Sequence, residues 1–181
     1  PKDGADRRHP LVRASGVKKT PQARFVDATA GLGSDALILA MMGAKVTLLE
    51  RSPSVFNALK GALARASDRA TPEVADALQR LELRFGDSRM LLPQLDAEIV
   101  IVDPMHPPRR KSALTKKNMR ILKQVVGDDD DSHELMACAL RVARKRVVLK
   151  WPRRAPAIEG LPKETFRTLG TTIRYDVFVV P

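Results

Sequence analysis

The sequence predicts an α/β fold, a mostly parallel sheet with helices on both faces. Three observations predict it. Short runs rich in branched apolar residues alternate with stretches of helical period. The segments joining them are short. Polar or glycine-containing clusters follow four of the runs, and in open parallel sheets ligands sit at the carboxyl ends of the strands.

The elements follow in order. Residues 1–22 are basic, with Arg7, Arg8, Arg13, Lys18 and Lys19, and show little periodicity. They are expected to form an arm or the remnant of a preceding subdomain, with a short helix near 11–15, ahead of the main domain at 23–181. Residues 23–29 read as a buried strand, and 30–33 as a glycine turn. Residues 34–42 read as a helix closed by Gly43. KVTLLE at 45–50 is a second strand. Helices are expected at 53–66 and 71–79, each with proline just after its cap. A third strand is expected at 81–85 and a fourth, the most apolar, at 97–102. Helices at 115–125 and 132–144 and strands at 146–150 and 174–180 complete the order.

Composition narrows the function. Of 181 residues, 44% are hydrophobic and 29% charged, an ordinary globular balance. No apolar run reaches the roughly 18 residues of a membrane span, and there is no signal-peptide pattern. The single cysteine, Cys138, falls in an apolar pattern and reads as a core residue of a chain in a reducing cytoplasm. No metal-ligating spacing is present. The net charge of +11 favours a polyanionic partner, and nucleic acid suits it better than a membrane, because no basic helix carries bulky aromatics. A monomer is expected, since no apolar heptad appears.

Four clusters mark a ligand site. The first is Asp27-Ala-Thr-Ala-Gly31-Leu-Gly33-Ser34-Asp35, between the first strand and helix. Its glycines let the backbone pass close under a ligand, and the helix start offers unpaired N–H groups. The second is Glu50-Arg51, where a carboxylate can accept both hydroxyl hydrogens of a ribose. The third, Gly86-Asp87-Ser88, can read an adenine edge. The fourth is Asp103-Pro104. Gly31-x-Gly33-x-x-Ala36 also fits a dinucleotide fingerprint, so an NAD(P)-dependent oxidoreductase competes. Against it, Asp27 would meet a pyrophosphate with negative charge, whereas a methyl donor with a cationic amino group would welcome it.

Asp103-Pro104-Met105-His106-Pro107-Pro108 resembles the [Asn/Asp]-Pro-Pro-[Tyr/Phe] loop of amino-group methyltransferases. An exocyclic amine on a base is a weak nucleophile because its lone pair delocalises into the ring. An acceptor on Asp103, with a backbone carbonyl fixed by proline, can bind the amine hydrogens and aim the nitrogen. His106 stands where an aromatic would stack on the base. Arg109, Arg110, Lys111, Lys116, Lys117 and Arg120 follow, and Lys150 ends the fifth strand on the same side. These cations are expected to line an RNA backbone. A non-catalytic RNA-binding assembly factor with this fold is the third alternative.

VDATAGLGSDA at 26–36, LLER at 48–51 and DPMHPPRRKSALTKKNMR at 103–120 together resemble the ribosomal RNA small subunit methyltransferase J family. The resemblance covers residue 14 to the C-terminus. It implies a Rossmann-like fold, S-adenosylmethionine as cofactor, a cytoplasmic location, and methylation of the N2 amine of one guanosine in 16S ribosomal RNA or the small subunit. It also implies donor binding at Ser34, Asp35, Glu50, Arg51, Asp87, Ser88 and Asp103. The chain departs from the family pattern at Ser34, Asp87 and His106, where the family carries Arg, Ser and Phe.

Overall fold

The computed structural model describes residues 8–104 and 132–180. Seven strands form one sheet: β1 (Arg24–Asp27), β2 (Lys45–Glu50), β3 (Leu81–Phe85), β4 (Ile99–Val102), β5 (Arg146–Pro152), β6 (Phe166–Leu169) and β7 (Ile173–Val179). Their order is β3-β2-β1-β4-β5-β7-β6. Strands β1 to β5 run parallel to one another, and β7 runs antiparallel to both β5 and β6. The strand order reverses between β1 and β4, which is where a parallel sheet opens a crevice for ligands.

Alternating side chains build two cores. Phe25, Leu48, Ile99, Ile101 and Val148 point to one face, under α1 (Pro10–Ser15), α2 (Ser34–Met41) and α3 (Pro53–Ser67). Val26, Leu49, Val100, Val102, Val147 and Leu149 point to the other, under α6 (Ser132–Val142). All four residues of β4 are buried, as a strand covered on both faces requires. Between α3 and β3 lies α4 (Pro72–Leu78), and after β3 comes the single turn α5 (Ser88–Leu91), which runs into a 3-10 turn at Leu92–Gln94. Among the described residues, no helix is long and apolar enough to cross a membrane.

Strands β2 and β3 match their predicted limits. Strands β1 and β4 are shorter than expected, because ladder pairing with each other begins only at Phe25 and Ile99. Helix α2 is capped by Met42, and Gly43 (φ 94°) makes the left-handed step one residue later. Two elements escaped prediction. Strand β6 is a four-residue edge strand with a single buried residue, so it carries no apolar alternation. Helix α5 is too short to show a helical period.

The N-terminal segment differs most from expectation. Leu11, Val12, Ala14 and Val17 are fully buried in the same core as Phe25 and Tyr175. Arg146 Nη1 donates to the Ala14 carbonyl at 3.0 Å. The boundary placed after residue 22 therefore falls inside one core, not between an arm and a domain. Leu11→Ala is expected to cost about 2–5 kcal/mol of stability, read from the midpoint of urea unfolding. A solvated arm would lose almost nothing. The helix predicted at 115–125 lies outside the described residues.

Candidate active site

The clusters at the strand ends converge on a cavity of about 420 Å³ at the β1/β4 switch point. Asp27, Thr29, Gly31, Ser34, Asp35, Asp103, Pro104, Lys150 and Trp151 contribute to its wall. The loop from β1 to α2 enters left-handed backbone at Gly31 (φ 51°) and Gly33 (φ 74°). A Cβ on Gly33 would stand 3.0 Å from Leu59 Cδ1, so packing as well as backbone angle requires glycine there.

Glu50 holds this loop from behind. It is buried, and its Oε2 accepts from Gly31 N at 3.0 Å while Oε1 accepts from Ser52 N at 2.8 Å. Each oxygen keeps acceptor capacity beyond these bonds. Thr29 joins β1 to β4: its N–H donates to Asp27 Oδ1 at 3.1 Å, and its hydroxyl accepts from Asp103 N at 2.7 Å.

Three carboxylates and one amine share the cavity. Lys150 Nζ bridges Asp35 and Asp103, each at 2.9 Å. Asp27 is 3% exposed. Burial, followed by repulsion from Asp35, pushes its carboxyl up to about 7. Asp103 is also held above the ordinary carboxylate range by burial, with Lys150 opposing the shift, although its side chain remains 39% accessible at the cavity mouth. Tyr175 lies opposite Lys150 in the β5–β7 ladder. Its hydroxyl is buried without a hydrogen-bond partner, and burial raises its pKa. With all three carboxylates ionised, the group would carry a net charge of −2 around Lys150, a setting that favours a cationic ligand and opposes a pyrophosphate.

Asp87 and Ser88 are not among the residues that line this cavity. Asp87 caps α5 through Arg89 N at 2.9 Å and pairs with Arg89 Nη2 at 2.6 Å. That hydrogen-bonded guanidinium holds its carboxyl below the usual range, with Arg51 adding to the effect. Ser88 is buried, and its hydroxyl donates to the Ala28 carbonyl at 2.6 Å, so it ties β1 to α5. Trp151, which lines the cavity, is buried, with Nε1 donating to the Pro156 carbonyl at 2.7 Å.

Lys150 departs from its expected role. Its ammonium is engaged by two carboxylates inside the cavity instead of facing an RNA backbone. Its place on the fifth strand was legible, but its partners, 115 and 47 positions away, were not. Thr29 and Tyr175 were not singled out in the sequence at all. Thr29 lies within the glycine-loop motif, whereas nothing in the sequence marks Tyr175. His106, Arg109, Arg110, Lys111, Lys116, Lys117 and Arg120 lie outside the described residues.

Comparisons with known proteins agree with this geometry. A family model described as "Putative SAM-dependent methyltransferase" matches residues 1–180. The crystal structure of an S-adenosylmethionine-dependent methyltransferase from Neisseria gonorrhoeae superposes with a TM-score of 0.75 at 30% identity, covering 98% of this chain and 69% of that one. An RNA methyltransferase from Salinibacter ruber, in complex with S-adenosyl-L-homocysteine, shares the fold at a TM-score of 0.52 and 16% identity, over 100% of this chain and 92% of that one. The fold and site thus define an S-adenosylmethionine-dependent methyltransferase. A ribosomal RNA small subunit methyltransferase J from Rhodopseudomonas palustris (strain HaA2) is 49% identical over 180 residues, 99% of this chain and 82% of the relative. The one from Agrobacterium fabrum is 48% identical, over 99% and 86%. The chain belongs to the ribosomal RNA small subunit methyltransferase J family.

Proposed function

We propose that this protein methylates the N2 amine of a guanosine in 16S ribosomal RNA, with S-adenosylmethionine as donor. The observation that carries this reading is Asp103-Pro104 at the end of the central strand β4, opening onto a cavity lined by carboxylates, in a chain of this family.

The residues present fit the cofactor. Asp27 and Asp35 can receive its ammonium, and the backbone of residues 31–34 its carboxylate. Glu50 retains acceptor positions for ribose hydroxyls, and Asp87, although paired with Arg89, retains one for the adenine amine. Arg51 and Ser88 support this end by shaping the Asp87 turn. S-adenosylmethionine supplies an electrophilic methyl group whose C–S bond breaks as the new N–C bond forms.

The chain's own residues position the acceptor. The Asp103 carboxylate accepts a hydrogen bond from the guanine amine, and the Pro104 carbonyl can take the second hydrogen. Both bonds direct the nitrogen lone pair toward the methyl group, so most of the rate comes from orientation. The methylated ammonium is acidic and releases its proton to water without a dedicated base. His106 stacks on the guanine. Arg109, Arg110, Lys111, Lys116, Lys117 and Arg120 carry the RNA backbone, since they follow the reacting loop directly in the chain. The protein acts as a monomer in the cytoplasm, where its RNA substrate is found.

Glu50→Ala removes both an acceptor and the clamp on Gly31. It is expected to weaken S-adenosylmethionine binding ~10-fold or more, measured by calorimetry. The function itself is tested by incubating the protein with labelled S-adenosylmethionine and small subunits that lack the modification. Digestion to nucleosides and mass spectrometry should yield N2-methylguanosine. Label in another nucleoside, or none despite cofactor binding, would contradict the proposal.

A further inference from the structure

We propose that Lys150 is the positioning residue of the reacting loop: by bridging Asp35 and Asp103 it fixes the Asp103 carboxylate as an ionised acceptor for the substrate amine. This inference rests on the methyltransferase reading above and goes beyond it in assigning Lys150 a role.

The geometry is specific. Lys150 Nζ lies 2.9 Å from Asp35 Oδ2 and 2.9 Å from Asp103 Oδ2. Its side chain is 22% exposed, and that of Asp35 is 12% exposed. The lysine leaves β5 next to β4, the strand that delivers Asp103. One cation therefore ties the first turn of α2 to the end of β4. With the Thr29 hydroxyl holding Asp103 N at 2.7 Å, Asp103 is held at both its backbone and its side chain.

The chemistry explains why a cation is needed. Asp103 shares its surroundings with Asp27 from β1, Asp35 from α2, Lys150 from β5 and Tyr175 from β7. Burial and Asp35 both favour a protonated Asp103, and Lys150 opposes them. A protonated Asp103 would present an O–H donor to an amine that is itself a donor, and the orienting bond would be lost. Lys150 acts on the substrate only through Asp103, so it is not itself a catalytic residue.

Lys150→Met and Lys150→Arg test the inference. In Lys150→Met, the acid limb of the kcat–pH profile should move up by about one unit or more, so that kcat on that limb falls ~10-fold or more. The deficit should shrink as pH rises. S-adenosylmethionine should bind about as tightly as before, because the lost lysine charge is offset by the proton that Asp103 keeps. Lys150→Arg should restore the wild-type profile. Carbon-detected NMR of aspartate-labelled protein without substrate should show Asp103 titrating at higher pH in Lys150→Met. That reading needs no methyl transfer, so it decides the inference even if the RNA reaction itself fails.

Three results would overturn the inference. One is a raised RNA KM with unchanged kcat and pH profile, which marks a backbone contact. Another is an equal loss of kcat at every pH together with weaker cofactor binding, which marks structural damage. The third is an Asp103 titration that does not move, or an arginine variant that behaves like the methionine one.

Discussion

Asp103→Ala should lower kcat for methyl transfer by ~10²–10³-fold at saturating S-adenosylmethionine. The size follows from what the side chain does. It is the most exposed of the cavity's three carboxylates, at the end of β4. Without it, the guanine amine keeps its planar, delocalised form and its nitrogen is not aimed. Lys150 retains Asp35 as a partner, so the cavity keeps its shape and the variant should fold. Asp103→Asn should fall much less, by ~10-fold, because its amide carbonyl still accepts. Single-turnover kinetics on small subunits separates the two steps, since binding is saturated and only transfer is read. An alanine variant that transferred methyl groups at the wild-type rate would remove Asp103 from the mechanism.

Asp27→Asn should have opposite effects on stability and binding. In the free protein the Asp27 carboxyl keeps its proton up to about pH 7, whereas in the unfolded chain it loses it near the ordinary aspartate value of 3.8. Between those limits the folded state holds more protons, so this group's contribution to stability declines as pH rises, and the full penalty is present above about 7. Asparagine carries no such penalty and can still accept from Thr29 N. The ligand-free variant should therefore be more stable than wild type at pH 8, by on the order of 2–4 kcal/mol, and about equal to it near pH 4. Its affinity for S-adenosylmethionine should fall ~10–100-fold, because a charge-assisted bond to the ammonium is lost. Thermal unfolding across pH, with and without the cofactor, reads both effects. A variant less stable than wild type at pH 8 would show that Asp27 is ionised and satisfied in the free protein.

Much of this was legible in the sequence, for identifiable reasons. Strands β1, β2, β4 and β5 carry dense branched apolar runs because they lie inside the sheet, and that burial leaves a local signature. The glycine loop and the acids that follow the strands were legible because backbone geometry restricts which residues can stand there. Strand β6 left no signature, since an exposed edge strand is not selected for apolar alternation. Residues 1–22 were read as an arm or the remnant of a preceding subdomain because arginine and lysine recur in them with little periodicity. The four fully buried apolar residues there span only 11–17, too short a stretch to reveal a period.

The site was legible residue by residue but not as a network. Asp27, Asp35 and Asp103 were each recognisable as strand-end or helix-start acids. That a single lysine bridges two of them is a tertiary fact with no local trace. Likewise Glu50 read as a ribose acceptor, and its clamp on Gly31 emerged only when β2 was placed beside β1. Ser88 was legible as a polar group at a strand end, but its committed hydrogen bond depends on packing.

The central claim is that the carboxylate-lined cavity at the β1/β4 switch point holds S-adenosylmethionine. The most direct test is calorimetric titration of the wild-type protein at pH 7 with S-adenosylmethionine and, separately, with NADH, in two buffers of different ionisation enthalpy. Micromolar, saturable binding of S-adenosylmethionine is expected, with proton release from Asp27 as the cation enters, and no binding of NADH. Saturable NADH binding, or S-adenosylmethionine binding without proton release and unaffected by Asp27→Asn, would contradict it.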